Sequence, residues 1–180
     1  MLIDDFESVV VSQEQISERT KELGKSLSKQ YAGKNPLFVG ILKGSFVFMA
    51  DLVRSVDIDC TMDFMSVSSY GNGTVSSGEL KIKKDLSENI EGRHVIIVED
   101  ILDSGVTLGN LLELLKQRNP ASLEIVTLLD KPSGRKVNVE PMMRGFVIPG
   151  GFVAGYGLDY AEKYRNLPFV GILKPEVYSK

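Results

Sequence analysis

The sequence has a single cysteine, Cys60, and a single histidine, His94. One cysteine excludes an internal disulfide and any multi-cysteine zinc or iron–sulfur centre. One histidine excludes the HExxH zinc motif, which needs two. Neither sign of charge is in strong excess: 24 acids against 21 bases leave a formal net charge of −3. That balance offers no basic footprint for nucleic acid. No apolar run approaches the ~20 residues that cross a bilayer. The acidic opening MLIDDFESVV lacks the basic segment of a secretory signal. Three common motifs are missing as well, since no G-x-x-x-x-G-K-[ST], G-x-G-x-x-G or G-x-S-x-G occurs. Chemistry is left to carboxylates, lysines, arginines, hydroxyls and backbone amides.

What is present fits one globular domain. The chain has 180 residues, 43% hydrophobic and 25% charged, enough for a full core without covalent staples. Val9-Val10-Val11 is a short β-branched run. Ser12 with Gln15 forms a capping box, and Ile16, Thr20, Leu23, Leu27 and Tyr31 share one helical face. Leu37 to Leu42 is a continuous apolar run, as for a strand covered on both faces. Lys43-Gly44 breaks it, and Ser45 is expected to cap the helix that follows. A strand is predicted around Asp57 to Val67. Ser68 to Gly78, SSYGNGTVSSG, reads as a long mobile loop. Val95 to Val98 is a buried strand expected to end at Glu99-Asp100. A helix from about Thr107 to Arg118 and a buried strand from Leu123 to Leu129 follow. Later short strands are expected around Val137, Phe146 and Val153, with a last one at Phe169 to Leu173. The alternation predicts an α/β fold with a parallel β-sheet core flanked by helices. The core is expected over about 9–135, with a small hood lobe from 136–180 and residues 1–8.

Ligands of open parallel sheets bind beyond the carboxyl ends of the strands. That rule selects Leu42-Lys43-Gly44, Glu99 to Thr107, and Asp130 to Arg135. In the middle segment, small residues at a helix start leave amides free to cradle a phosphate. Three carboxylates, Glu99, Asp100 and Asp103, stand beside it and would repel a bare phosphate. A sugar phosphate, or Mg2+, reconciles the two. Any one of these acids alone reads better as part of an ordinary strand–turn–helix connection, with Asp103 only a helix cap. Three acids with S-G-x-T after four apolar residues read as a site.

The run Val95-Ile-Ile-Val-Glu-Asp-Ile-Leu-Asp-Ser-Gly-Val-Thr107 resembles the phosphoribosyl-pyrophosphate signature of type I phosphoribosyltransferases. Leu42-Lys43-Gly44, Ser69-Tyr70, Asp130-Lys131-Pro132, and Phe152-Val153 to Leu158-Asp159-Tyr160 with Arg165 fall in order. Together they resemble the 6-oxopurine branch, the hypoxanthine or hypoxanthine-guanine phosphoribosyltransferases of the short bacterial type. That resemblance implies transfer of a 5-phosphoribosyl group from phosphoribosyl pyrophosphate to N9 of hypoxanthine or guanine. It implies Asp103 as general base. The backbone amides of Asp103, Ser104, Gly105, Val106 and Thr107, with the Ser104 and Thr107 hydroxyls, would hold the 5′-phosphate, and Glu99 and Asp100 the ribose hydroxyls. Lys131 would donate to the 6-oxo group, Phe152 would stack on the purine, and Val153 with Asp159 would read the ring edge. Arg165 with Lys43 and Gly44 would bind pyrophosphate, and Ser69 with Tyr70 would close over the site. Mg2+ would be held among Glu99, Asp100 and Asp159.

The resemblance also implies a cytoplasmic homodimer or homotetramer with small-molecule substrates and no nucleic-acid or membrane partner. Val106 and Ser66 stand where some relatives carry basic or polar residues. A xanthine-preferring enzyme stays open as an alternative, as does a regulator that senses phosphoribosyl pyrophosphate. The net charge and the presence of both Asp103 and Lys131 weigh against the regulator.

Overall fold

The computed structural model describes residues 1–69 and 79–179. In chain order these form β1 (Phe6–Val11), α1 (Gln13–Gln30), β2 (Leu37–Ile41), α2 (Phe46–Val53), β3 (Thr61–Ser69) and β4 (Leu80–Lys84). Then come β5 (His94–Leu102), α3 (Val106–Lys116), β6 (Ser122–Asp130), β7 (Met143–Val147), β8 (Val153–Ala154), β9 (Val170–Leu173) and α4 (Pro175–Tyr178). Among the described residues the larger sheet runs β4-β3-β2-β5-β6-β7, and the smaller runs β1-β9-β8. In the larger sheet β3, β2, β5, β6 and β7 pair in parallel, and β4 pairs antiparallel with β3 at the edge.

The parallel strands need cover on both faces, and the sequence supplies it. All five residues of β2 are buried, as are Val95 to Val98 of β5. Leu27, Phe48, Met49 and Leu52 from α1 and α2 pack on one side of this sheet, in one cluster with Phe38, Ile96 and Val98. Leu108, Leu111 and Leu115 of α3 pack on the other, with Val39, Val95 and Ile97. Each such aliphatic side chain taken fully from water contributes about 1.5–3 kcal/mol.

The capping box forms as expected. The Gln15 N–H donates to Ser12 Oγ at 3.2 Å, and the Ser12 N–H donates to Gln15 Oε1 at 2.8 Å. Ser45 behaves differently. Its hydroxyl caps no amide and donates instead to the Ile41 carbonyl at 2.7 Å, so the buried side chain satisfies itself on the strand it has just left.

Four expectations about segments change. Val9 to Val11 belong to the smaller sheet, because β1 pairs antiparallel with β9. Met143 to Val147 join the larger sheet beside β6, so that sheet extends past residue 135 and the division expected at 9 and 135 shifts at both ends. Val137 lies outside any strand. Ser68 and Ser69 end β3, held by pairing with Lys81 and Leu80, so the loop read from Ser68 starts later; residues 70–78, including Tyr70, lie outside the described residues.

The smaller sheet sits beside the carboxyl ends of β2 and β5. A Cβ on Gly157, whose φ is +100°, would collide with the Gly44 carbonyl, so only glycine allows the two segments to meet. His94 takes a structural place, with Nδ1 2.8 Å from Ser122 Oγ and its ring edge-on to Tyr31.

Candidate active site

Lys43, Gly44, Asp100, Asp103, Lys131, Asp159 and Arg165 gather where β2, β5 and β6 end. β5 does not stop at Glu99-Asp100: Glu99 stays in register with Thr127, Ile101 with Leu129 and Leu102 with Asp130. β6 supplies pairing partners up to Asp130, and the Lys131 N–H still reaches the Leu102 carbonyl at 3.0 Å. Strict alternation would set neighbouring side chains on opposite faces, but it lapses here, since Ile101 packs in the cluster of Ile96 and Val98 and Leu102 in that of Val95 and Ile97. Asp100 is the one directed at the Lys43-Gly44 turn, where a Cβ on Gly44 would collide with its carboxylate. The Leu42-Lys43 peptide is cis.

Both acids keep part of their surface open but are crowded by protein. Burial pushes Asp100 up to about 6, with repulsion from Asp159 adding to it, while the Ile101 amide and Arg165 oppose the rise. Burial and the charge of Asp100 hold Glu99 well above the ordinary carboxylate range. Arg165 Nη2 lies 3.0 Å from Asp159 Oδ1 and 3.2 Å from Glu162 Oε1. Glu162 also takes Lys43 Nζ at 2.9 Å, so one carboxylate spans the two expected pyrophosphate-binding cations.

Beyond β5 the chain turns through Asp103, Ser104 and Gly105 into α3. Gly105 occupies the N-cap with φ +77°, a left-handed conformation that favours glycine. The Ser104 hydroxyl accepts from the Val106 N–H at 3.4 Å. Thr107 Oγ1 lies 2.8 Å from Ser69 Oγ, which ties the end of β3 to the start of α3. The Asp103 carboxylate is 48% exposed, with Lys131 Nζ 3.4 Å away. A Cβ on Gly134 would collide with the same carboxylate. Phe152 is 41% exposed, with one ring face stacked on Tyr178 at 5.0 Å and its neighbour Tyr160 edge-on at 5.5 Å. Val153 is buried in β8.

Sequence reasoning selects the segment from Asp130 to Arg135 but gives Asp130, Gly134 and Arg135 no role of their own, and it passes over Glu162 and Arg144. Asp130 is fully buried, with Arg135 at 2.5 Å and Arg144 at 2.6 Å. An aspartate closing an apolar strand was the available signal, but its two partners lie on separate later segments. Among the described residues no group of three or more His, Cys, Asp or Glu side chains could hold a metal alone. The mutual repulsion of Asp100 and Asp159 nevertheless fits Mg2+, which takes one or two carboxylates and draws its other oxygens from substrate and water.

Comparison with known proteins agrees with this arrangement. A family model described as the phosphoribosyl transferase domain matches residues 11–161. The hypoxanthine-guanine phosphoribosyltransferase of Bacillus subtilis is 56% identical over 178 residues, covering 99% of both chains. The bifunctional TilS/HprT protein of Listeria monocytogenes is 57% identical over 177 residues; the match covers 98% of this chain and 27% of that protein's length. A crystal structure of a hypoxanthine phosphoribosyltransferase from Staphylococcus aureus superposes with a TM-score of 0.97 at 53% identity, covering 99% of this chain and 97% of that one. With the signature turn, the parallel sheet and these full-length likenesses in agreement, the chain belongs to the phosphoribosyl transferase family, on its hypoxanthine-guanine branch.

Proposed function

We propose that this chain is a purine salvage enzyme that transfers 5-phosphoribosyl from phosphoribosyl pyrophosphate to N9 of hypoxanthine or guanine, giving IMP or GMP and pyrophosphate. The observation that carries the reading is the Lys131–Asp103 pair, 3.4 Å apart, beside a left-handed Gly105 turn. In the reaction the C1–O bond to pyrophosphate breaks, the C1–N9 bond forms, and the purine loses the proton on N7. Asp103 takes that proton. Lys131 donates to the 6-oxo group; an adenine amino group, itself a donor, would leave Lys131 unsatisfied.

The amides and hydroxyls of Ser104 to Thr107 hold the 5′-phosphate, and Glu99 and Asp100 hold the ribose hydroxyls. Lys43, the Gly44 backbone and Arg165 receive the pyrophosphate, on which negative charge grows as it leaves. Phe152 offers the purine the ring face that Tyr178 does not cover, with Val153 and Asp159 at the ring edge. Asp100, Asp159 and Glu99 would hold Mg2+, which would supply charge neutralisation at the leaving pyrophosphate. Ser69 stands at the rim of the site, bonded to Thr107. The chain works as one domain, in the cytoplasm, as a homodimer or homotetramer; the family resemblance supports these last points. Among the described residues no helix is long and apolar enough to cross a membrane.

The test is an absorbance assay with phosphoribosyl pyrophosphate, Mg2+ and each of hypoxanthine, guanine, xanthine and adenine. Turnover of hypoxanthine or guanine is expected. No turnover of any 6-oxopurine defeats the assignment, and xanthine as the preferred base defeats its hypoxanthine-guanine form.

A further inference from the structure

Three consecutive carbonyls lead into the Ser104 turn, and each is held from the same segment. The Leu102 carbonyl accepts from the Lys131 N–H at 3.0 Å and from Arg135 Nη1 at 3.0 Å. The Asp103 carbonyl accepts from the same Nη1 at 2.6 Å, and the Ser104 carbonyl accepts from the Lys136 N–H at 2.9 Å. A trans peptide is planar, so its C=O and N–H point in opposite directions. Holding these carbonyls from residues 131–136 therefore turns the N–H groups of Asp103, Ser104 and Gly105 away from that segment. Successive amides aimed together make an anion-binding concavity.

Arg135 supplies two of these contacts and is itself fixed. Its Nη2 donates to Asp130 Oδ1 at 2.5 Å, and its side chain is only 11% exposed. Asp130 is fully buried, and Arg144 donates to its other oxygen at 2.6 Å. Arg135 Nε is buried without a partner among the described residues, so the Nη fork alone sets the guanidinium's orientation.

We infer that Arg135, clamped by Asp130, is a positioning residue that pre-forms the phosphate-binding amides and holds Asp103 at their edge. This rests on the phosphoribosyl reading of the turn. Arg135 acts through the backbone, and its contribution is the fork rather than the charge. A lysine keeps the charge, but its ammonium cannot reach Asp130 and two carbonyls in one plane.

Ribose 5-phosphate and pyrophosphate, titrated separately with Mg2+ by calorimetry into wild type, R135K, R135Q and R144Q, test the idea. Both Arg135 variants should lose about 10- to 100-fold in affinity for ribose 5-phosphate, the range for losing hydrogen bonds to a charged group. Their pyrophosphate affinity, which rests on Lys43 and Arg165, should stay near wild type. R144Q, which touches Asp130 but not the turn, should keep both affinities. In wild type, the Ser104 and Gly105 amide NMR signals should move on adding ribose 5-phosphate, a readout independent of any variant's folding. Normal ribose 5-phosphate affinity in R135K would assign the effect to charge and overturn the inference. Equal loss of both ligands, or unmoved amides in a wild type that binds, would overturn it as well. A wild type that binds neither ligand overturns the phosphoribosyl reading itself, and the inference with it.

Discussion

The ammonium of Lys131 lies 3.4 Å from Oδ2 of Asp103, a cation and a carboxylate side by side at the mouth of the site. A 6-oxopurine presents the complementary edge, an accepting O6 next to a donating N7–H. Adenine presents an amino donor where Lys131 also donates. Lys131→Gln, which can donate or accept, should raise the KM for hypoxanthine about 10- to 100-fold. It should also narrow the preference over adenine. Steady-state kcat/KM ratios for the two bases measure this, and an unchanged ratio removes Lys131 from base selection.

The same carboxylate is confined from behind by Gly134, whose position leaves no room for a Cβ. Asp103→Asn should lower turnover by about 10²–10⁴-fold through loss of the base, with phosphoribosyl pyrophosphate binding kept. Gly134→Ala leaves the base in place but displaces it, and a misplacement of ~1 Å costs about 10²-fold. Single-turnover rates and calorimetric binding compare the two. Near-normal turnover of Asp103→Asn would end the general-base assignment.

Asp100 is held at about 6 by burial, above its ordinary 3.8. A carboxyl whose folded value is raised stabilises the fold below the unfolded value, and that contribution is lost as pH rises through the folded value. The free protein should therefore lose up to about 3 kcal/mol between pH 4 and 7 from this group, since one pKa unit is about 1.4 kcal/mol. Asp100→Asn should flatten that slope and raise the melting temperature at pH 7.5 while weakening Mg2+-dependent substrate binding. Thermal melts from pH 4.5 to 8 check the sign; a variant that melts lower at pH 7.5 contradicts it.

Glu162 joins Lys43 at 2.9 Å and Arg165 at 3.2 Å, the two cations proposed to receive pyrophosphate. These cations hold the Glu162 carboxyl below its ordinary range. The contacts are exposed, so water screens them and they compete only weakly. Glu162→Gln should lower the KM for phosphoribosyl pyrophosphate and tighten product inhibition by pyrophosphate, each by about two- to fivefold. Initial-rate inhibition patterns read both constants. A raised KM would make Glu162 an aligner of the two cations instead of their competitor.

Much of this was legible in one dimension because the signals are local. The Ser12–Gln15 box, the Ile16 to Tyr31 face and the buried Val95 to Val98 strand each lie within a few turns of chain, and each forms. Ser45 misled because a hydroxyl before a helix has two local partners, and the Ile41 carbonyl won. The strand through Glu99 and Asp100 runs longer than expected because its end depends on how far β6 extends beside it.

The sequence by itself determined the chemistry: one histidine and one cysteine, a run of three acids leading into S-G-x-T, and a lysine after the next strand. Hydrophobic period and turn residues encode such features over short distances. Tertiary structure alone decided what stands behind them. Parallel pairing of β5 with β6 sets the segment from Asp130 to Lys136 against Leu102, Asp103 and Ser104, residues about thirty positions earlier. Antiparallel pairing sends Val9 to Val11 to the smaller sheet, and parallel pairing sends Met143 to Val147 to the larger one. The reason is physical. A strand's partner and a buried aspartate's arginines are chosen by which distant segments can satisfy them together, and no periodicity along the chain records that choice.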